Sequence, residues 1–142
     1  MGARLAVEVA ARRQPRAVIL LAPALYQPDF LSPDTLLRWR TEGSRPTTRP
    51  DPVTGESREL LLSFDYAEDW QDHPTPDCSC LGSIPSVALL FSEDAPHREA
   101  VKRALHGNAT VIEVEGPHRW WEDAKTANEV TALLSVWLQS AL

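Results

Sequence analysis

Ala17-Val18-Ile19-Leu20-Leu21-Ala22-Pro23-Ala24 is an unbroken apolar run. It is too short for a typical helix and rich in branched side chains. A strand with one wet face would alternate; a continuous run predicts a strand covered on both faces, as in the middle of a parallel sheet. What surrounds it fits that frame. Gly2 to Arg13 reads as a helix with Leu5, Ala6, Val9 and Ala10 as its apolar stripe, and Pro15 closes it. Arg4, Glu8 and Arg12 fall four apart on another face, a favourable charge ladder. Val87 to Phe91 is a second buried strand, and His97 to Leu105 a helix with Val101, Ala104 and Leu105 turned inward. Thr110 to Glu115 alternates Ile112 and Val114 with Glu113 and Glu115, which predicts a half-exposed strand at the sheet edge. In Asn128 to Leu142, Val130, Leu133, Leu134, Trp137 and Ala141 recur at helical spacing. Strand–helix alternation predicts an α/β fold, a three-stranded parallel sheet flanked by helices.

Between the first two strands the texture changes. Residues 25–84 hold more than half of the chain's 12 prolines and few long apolar runs. Ser32-Pro33 opens a short helix through Trp39, with Ser as cap and Pro at the first helical position. Residues 41–64 read as a wide β-hairpin or an irregular loop, and Phe64 to Gln71 as another short helix. A structureless connection of this length is unusual, so the segment is expected to carry structure of its own. The expected organisation is a core of residues 1–24 and 85–142 with a cap-like insertion over 25–84. No internal repeat is visible.

The 142 residues carry a net charge of −6, which argues against nucleic acid as the main partner. No apolar run approaches the ~20 residues of a membrane span. Glu8 interrupts the apolar stretch near the start, so Met1 to Arg13 is no secretory signal, and the cytoplasm is the expected compartment. Cys78 and Cys80 stand one residue apart, cannot easily pair with each other, and are too few for a zinc site unless His joins them. They are expected to be loop thiols in a reducing compartment. No cofactor and no metal is expected, and no Gly-rich phosphate loop follows either buried strand.

In open parallel sheets functional groups collect at the carboxyl ends of the strands. Ser92-Glu93-Asp94 ends the second strand and Gly116-Pro117-His118 the third. A carboxylate there could hold the imidazole by one ring N–H and leave the other nitrogen as a base. The acid is Asp94, with Glu93 as the alternative.

This order, acid and then histidine after successive late strands, resembles the α/β-hydrolase superfamily, in which the order is nucleophile, acid, histidine. The apolar strand ending in APALY, the long insertion, and GPHRWWEDA before a final helix are similar to that family's C-terminal half. The opening Met1-Gly2-Ala3-Arg4-Leu5-Ala6 resembles the family's nucleophile helix entered one residue after the serine. The resemblance implies a partial α/β-hydrolase fold of the serine aminopeptidase, esterase or thioesterase kind. It implies His118 as general base, Asp94 as its orienting partner, and the Met1 backbone nitrogen in the oxyanion hole. It further implies that the serine lies upstream of Met1, so the chain alone is inactive. The full-length parent would hydrolyse a small acyl substrate through an acyl-serine intermediate. One departure from the family pattern concerns the acid: Ser92 stands where a glycine is usual, and Asp94 comes one residue early.

Other readings stay open. Trp120 and Trp121 either wall a substrate pocket or plug the end of the sheet, and Trp39, in the insertion, either faces substrate or packs the cap. His97 and His106 sit at the ends of a helix and read as structural, and His73, in the insertion, reads as solvated. Asn108-Ala109-Thr110 matches a glycosylation sequon, which means little in a cytoplasmic chain. A second hypothesis is a non-catalytic assembly module that pairs through an exposed sheet edge with an N-terminal half or with itself. A third is a small α/β domain with an unrelated ligand site.

Overall fold

The computed structural model describes residues 2–25, 32–50, 54, 56–72 and 75–142. In chain order it contains α1 (Gly2–Arg13), β1 (Val18–Leu21), α2 (Pro33–Glu42), β2 (Ser44–Pro50), β3 (Ser57–Ser63), α3 (Asp65–Asp72), β4 (Ser86–Phe91), α4 (Ala95–Leu105), β5 (Thr110–Val114) and α5 (Ala124–Ala141). The chain divides into two compact units, Met1–Tyr26 with Thr75–Leu142, and Gln27–Pro74.

The first unit is mixed α/β. Its sheet has the order β1-β4-β5, and both pairings are parallel. All six residues of β4 are buried, as a strand with neighbours on both edges and helices on both faces requires. Alternation along the strands splits the core in two. Val18, Leu20, Ala88 and Leu90 pack against Val7 and Ala10 of α1, Val101 and Leu105 of α4, and a short turn of 3-10 helix, Cys78–Ser83. On the opposite face Val87, Leu89, Phe91 and Val114 meet Val130, Leu133, Leu134 and Trp137 of α5. The result is a three-stranded parallel sheet flanked by helices.

The second unit is built on an antiparallel hairpin, paired from Ser44↔Ser63 to Pro50↔Ser57. Trp39 of α2 and Ala67 of α3 are its buried centre, with Leu62, Phe64, Tyr66 and Trp70 around them. Trp39 Nε1 donates to the Leu62 carbonyl at 3.1 Å. The helix α2 stops at Gly43, whose φ of +71° is the left-handed cap conformation that glycine adopts without steric penalty.

Several expectations need correction. The run Ala17–Ala24 yields only the four-residue β1, which lies at a sheet edge among the described residues, and β4 is the central strand. Helix α1 buries Val7 and Ala10, with Ala3 and Ala6 beside them, and leaves Leu5 and Val9 exposed. Ala3, Ala6, Val7 and Ala10 fall on one face at helical spacing, and Leu5 lies off that face. The first unit also claims residues 75–84, assigned above to the insertion, because Cys78, Leu81 and Ile84 belong to its core. The cysteines are therefore not loop thiols. Cys78 is buried and its thiol is pushed up, first by burial and then by Cys80 and Asp77. Finally, α5 begins at Ala124, four residues earlier than the apolar repeat indicates, because Asp123 caps it.

Candidate functional site

The last paired residues of the two adjacent strands are Phe91 and Val114. Beyond them the chains part: Ser92–Asp94 makes one tight turn into α4, while Gly116 and Pro117 turn the other strand toward His118. The ends stay tied. The Gly116 N–H donates to Ser92 Oγ at 3.0 Å, and Ser92 Oγ–H donates to the Gly116 carbonyl at 3.3 Å. That carbonyl also accepts the Glu93 N–H at 3.3 Å. Two residues further along each chain, His118 Nδ1 lies 2.9 Å from Asp94 Oδ1 and 3.1 Å from Oδ2. Ser92–Gly116 and Asp94–His118 are both separated by 24 residues, so the second pair stands in register with the first.

An ionised carboxylate can only accept, so the proton of a neutral imidazole in this contact sits on Nδ1 and the lone pair on Nε2. The His118 side chain is 59% exposed and that of Asp94 23%. Nε2 has no hydrogen-bond partner among the described residues. The group is thus a tautomer-fixed imidazole open on its basic side, able to take up and return a proton at Nε2. Asp94, and not Glu93, supplies the carboxylate in contact; Glu93 is exposed and bounds the open depression beside His118.

Gly116 is placed from behind by α5. Its φ of +154° suits glycine, and an added Cβ would fall 2.6 Å from Thr126 Oγ1. Buried Thr126 in turn donates its hydroxyl and its backbone N–H to Asp123, the residue that caps α5. These two bonds, the hydroxyl's first, hold the Asp123 carboxyl below its ordinary value of 3.8. The turn that carries His118 is therefore gripped on one side by Ser92 and on the other by a capped helix start.

His118 stands between two recesses. One is a pocket of about 40 Å³, walled by Ala22, Pro23, Ala24, Leu90 and Val101, with Asp94, His97 and Arg98 at its polar side. The other is an open depression of about 490 Å³ bounded by Glu93, Pro117, Arg119, Glu122 and Asp123. The Arg98 guanidinium is engaged by Glu113 at 2.7 Å. His97, read from sequence as a helix-start residue, thus shares the small pocket with the Asp94–His118 pair.

Trp120 stacks on Phe91, with ring centroids 6.3 Å apart and planes 4° from parallel, and so plugs the sheet end. Trp121 meets Trp120 edge-on and is 58% exposed. Neither lines the pocket or the depression beside His118. Trp39 is the buried centre of the second unit, with Phe64 and Tyr66 against its ring. Met1 and His73 lie outside the described residues. His106, at φ +52°, ends α4 and donates its N–H to the Lys102 carbonyl. Among the described residues no group of three or more His, Cys, Asp or Glu side chains could hold a metal ion. Sequence reasoning missed Ser92 as a tie between the strand ends; a hydroxyl at a strand end was the one available sign. No family model, no curated protein and no solved structure matches this chain.

Proposed function

We propose that His118 and Asp94 are the general base and orienting acid of an acyl-transfer hydrolase of the α/β-hydrolase type. The observation that carries this reading is the 2.9 Å contact from His118 Nδ1 to Asp94 at the carboxyl rim of a parallel sheet, with Nε2 left open. In this reading Nε2 takes the proton of a serine hydroxyl as its oxygen adds to an acyl carbonyl, and Asp94 stabilises the imidazolium. The proton then passes to the leaving group as its bond to the acyl carbon breaks, giving an acyl-serine. Water repeats the sequence and frees the acid.

The described residues set no hydroxyl or thiol on Nε2. The reading therefore takes the serine from sequence ahead of Met1. With only residues 14–17 between α1 and β1, the reading has α1 run back along β1, so that its first turn would lie toward the rim that carries His118. A residue preceding α1 would enter the site there, and the Met1 amide would serve the oxyanion. The substrate would be a small ester, thioester or amide. A fluorophosphonate probe, which reacts with activated serines, tests this. The chain as given stays unlabelled, whereas the same reading frame extended upstream is labelled at a serine just before Met1, and His118→Ala abolishes that labelling. An unlabelled extended chain, or labelling indifferent to His118, would sink the reading.

A second reading rests on a different observation. The two outer strands of the sheet are unlike. β5 carries exposed Glu113, ion-paired to Arg98 and Lys102, while β1 is the uncharged Val18-Ile19-Leu20-Leu21. Val18 and Ala22 donate their N–H groups toward β4, so the peptide groups of Ile19 and Leu21 face the other side. Uncharged, unpaired edges recruit strands. In this reading the chain is an assembly module that pairs through β1 with a second copy. Sedimentation of the chain and of Leu21→Lys decides it: a dimer that the lysine dissociates supports it, and a monomer at high concentration rules it out.

A further inference from the structure

We propose that Ser92 is a positioning residue for the His118–Asp94 pair, fixing the imidazole tautomer through the gap that it sets between two strand ends. The inference rests on the reading of that pair as base and acid. The ladder between β4 and β5 stops at Phe91 and Val114. Past that point one backbone bond, from the Glu93 N–H to the Gly116 carbonyl at 3.3 Å, still joins the strand ends, yet the pair that needs fixed spacing lies further out. The Ser92 hydroxyl spans this interval. It accepts from the Gly116 N–H at 3.0 Å and donates to the Gly116 carbonyl at 3.3 Å. One side chain thereby does what a pair of ladder bonds would do, one step beyond the last pair. From there each chain advances two residues, to Asp94 and to His118, and the Nδ1–carboxylate contact closes the frame.

A hydroxyl carries both a donor and an acceptor on one atom, so at this short reach it can hold the N–H and the carbonyl of the same residue. Glycine at this position would leave the Gly116 N–H to find water. Alanine or valine would do the same and would let the His118 turn drift from Asp94. A drift of this kind removes the partner that selects the Nδ1–H form of the ring, and the proton is then free to sit on Nε2, where it blocks the base.

The experiment is ¹⁵N NMR of the ring nitrogens of His118 in the full chain, at a pH that keeps the imidazole neutral. The ratio of Nδ1–H to Nε2–H forms is read in wild type, Asp94→Asn, Ser92→Thr and Ser92→Val. Threonine and valine have the same shape and differ by the hydroxyl alone, so packing changes cancel between them. The expected result is a wild-type ratio in Ser92→Thr and a roughly fivefold fall in Ser92→Val, the size of one ordinary hydrogen bond. Asp94→Asn should lower the ratio at least as far. If Ser92→Val keeps the wild-type ratio while Asp94→Asn loses it, Ser92 does not position the pair, and the base–acid reading stands without it. Equal losses in Ser92→Thr and Ser92→Val overturn the role of the hydroxyl. A ratio unmoved by Asp94→Asn overturns the base–acid reading itself, and this inference with it.

Discussion

Thr126 and Gly116 meet so closely that no side chain could stand between them: a Cβ on Gly116 would lie 2.6 Å from Thr126 Oγ1 and 2.8 Å from its Cγ2. The contact docks the N-terminal turn of α5 onto the loop that carries His118. It joins the packing of one helix to the geometry of the candidate site.

Gly116→Ala should destabilise the chain by about 2–4 kcal/mol, from backbone strain and overpacking together. Urea unfolding gives the value. Thr126→Ala removes both atoms in collision, so Gly116→Ala should cost less in that background than in wild type. A double-mutant cycle with no coupling would mean that the two residues do not touch.

The two neighbouring tryptophans should behave very differently. Trp120 stacks on fully buried Phe91, and Trp120→Ala should cost roughly 2–4 kcal/mol. Trp121→Ala, at an exposed ring, should cost under about 1 kcal/mol. Chemical denaturation of both variants ranks them, and equal losses would contradict the stacked arrangement.

A similar contrast applies along α1. Val7→Ala opens a gap under the helix and should cost about 1–3 kcal/mol, whereas Leu5→Ala removes a larger side chain that is 61% exposed and should cost less than about 0.5 kcal/mol. The smaller residue should therefore matter more, and unfolding midpoints of the pair will show which face is buried.

Asp123 links stability to acid. Its folded carboxyl is held below 3.8 by the Thr126 hydroxyl and then by the Thr126 backbone N–H. A lowered folded value means that the contribution is complete above the ordinary carboxylate range and is lost as pH falls through the folded midpoint. Asp123→Asn removes this titration. The melting temperatures of wild type and Asp123→Asn should differ near neutral pH and converge progressively on the acid side of 3.8. A gap that stays constant down the acid limb would show that the cap does not titrate with folding.

The continuous apolar run of β4, the alternation of β5 and the helical spacing of Val130 to Trp137 were all legible, because burial on one or two faces leaves a periodic trace in side-chain type. The same logic misjudged β1. Apolar content records what a strand can bury and does not record how many neighbours it has. It misjudged α1 because alanines are weak markers of a buried face, although they permit the closest approach. The start of α5 was written in Asp123 and Thr126, but polar residues at a cap interrupt the hydrophobic repeat that drew the boundary. At the site, His118 and Asp94 were legible from their places after strands. The Ser92 tie was not, because it depends on which backbone atoms face one hydroxyl after the ladder ends.

Strand β4 hydrogen-bonds to a neighbour on either side and shows none of its six residues to water. Its amides can exchange for deuterium only when the first unit opens as a whole, while the outward rows of β1 and β5 exchange by local fraying. The slowest amides of Val87 to Phe91 therefore act as a built-in gauge of global unfolding. Any variant or bound molecule that shifts their exchange has acted on the stability of the entire unit and not on one loop.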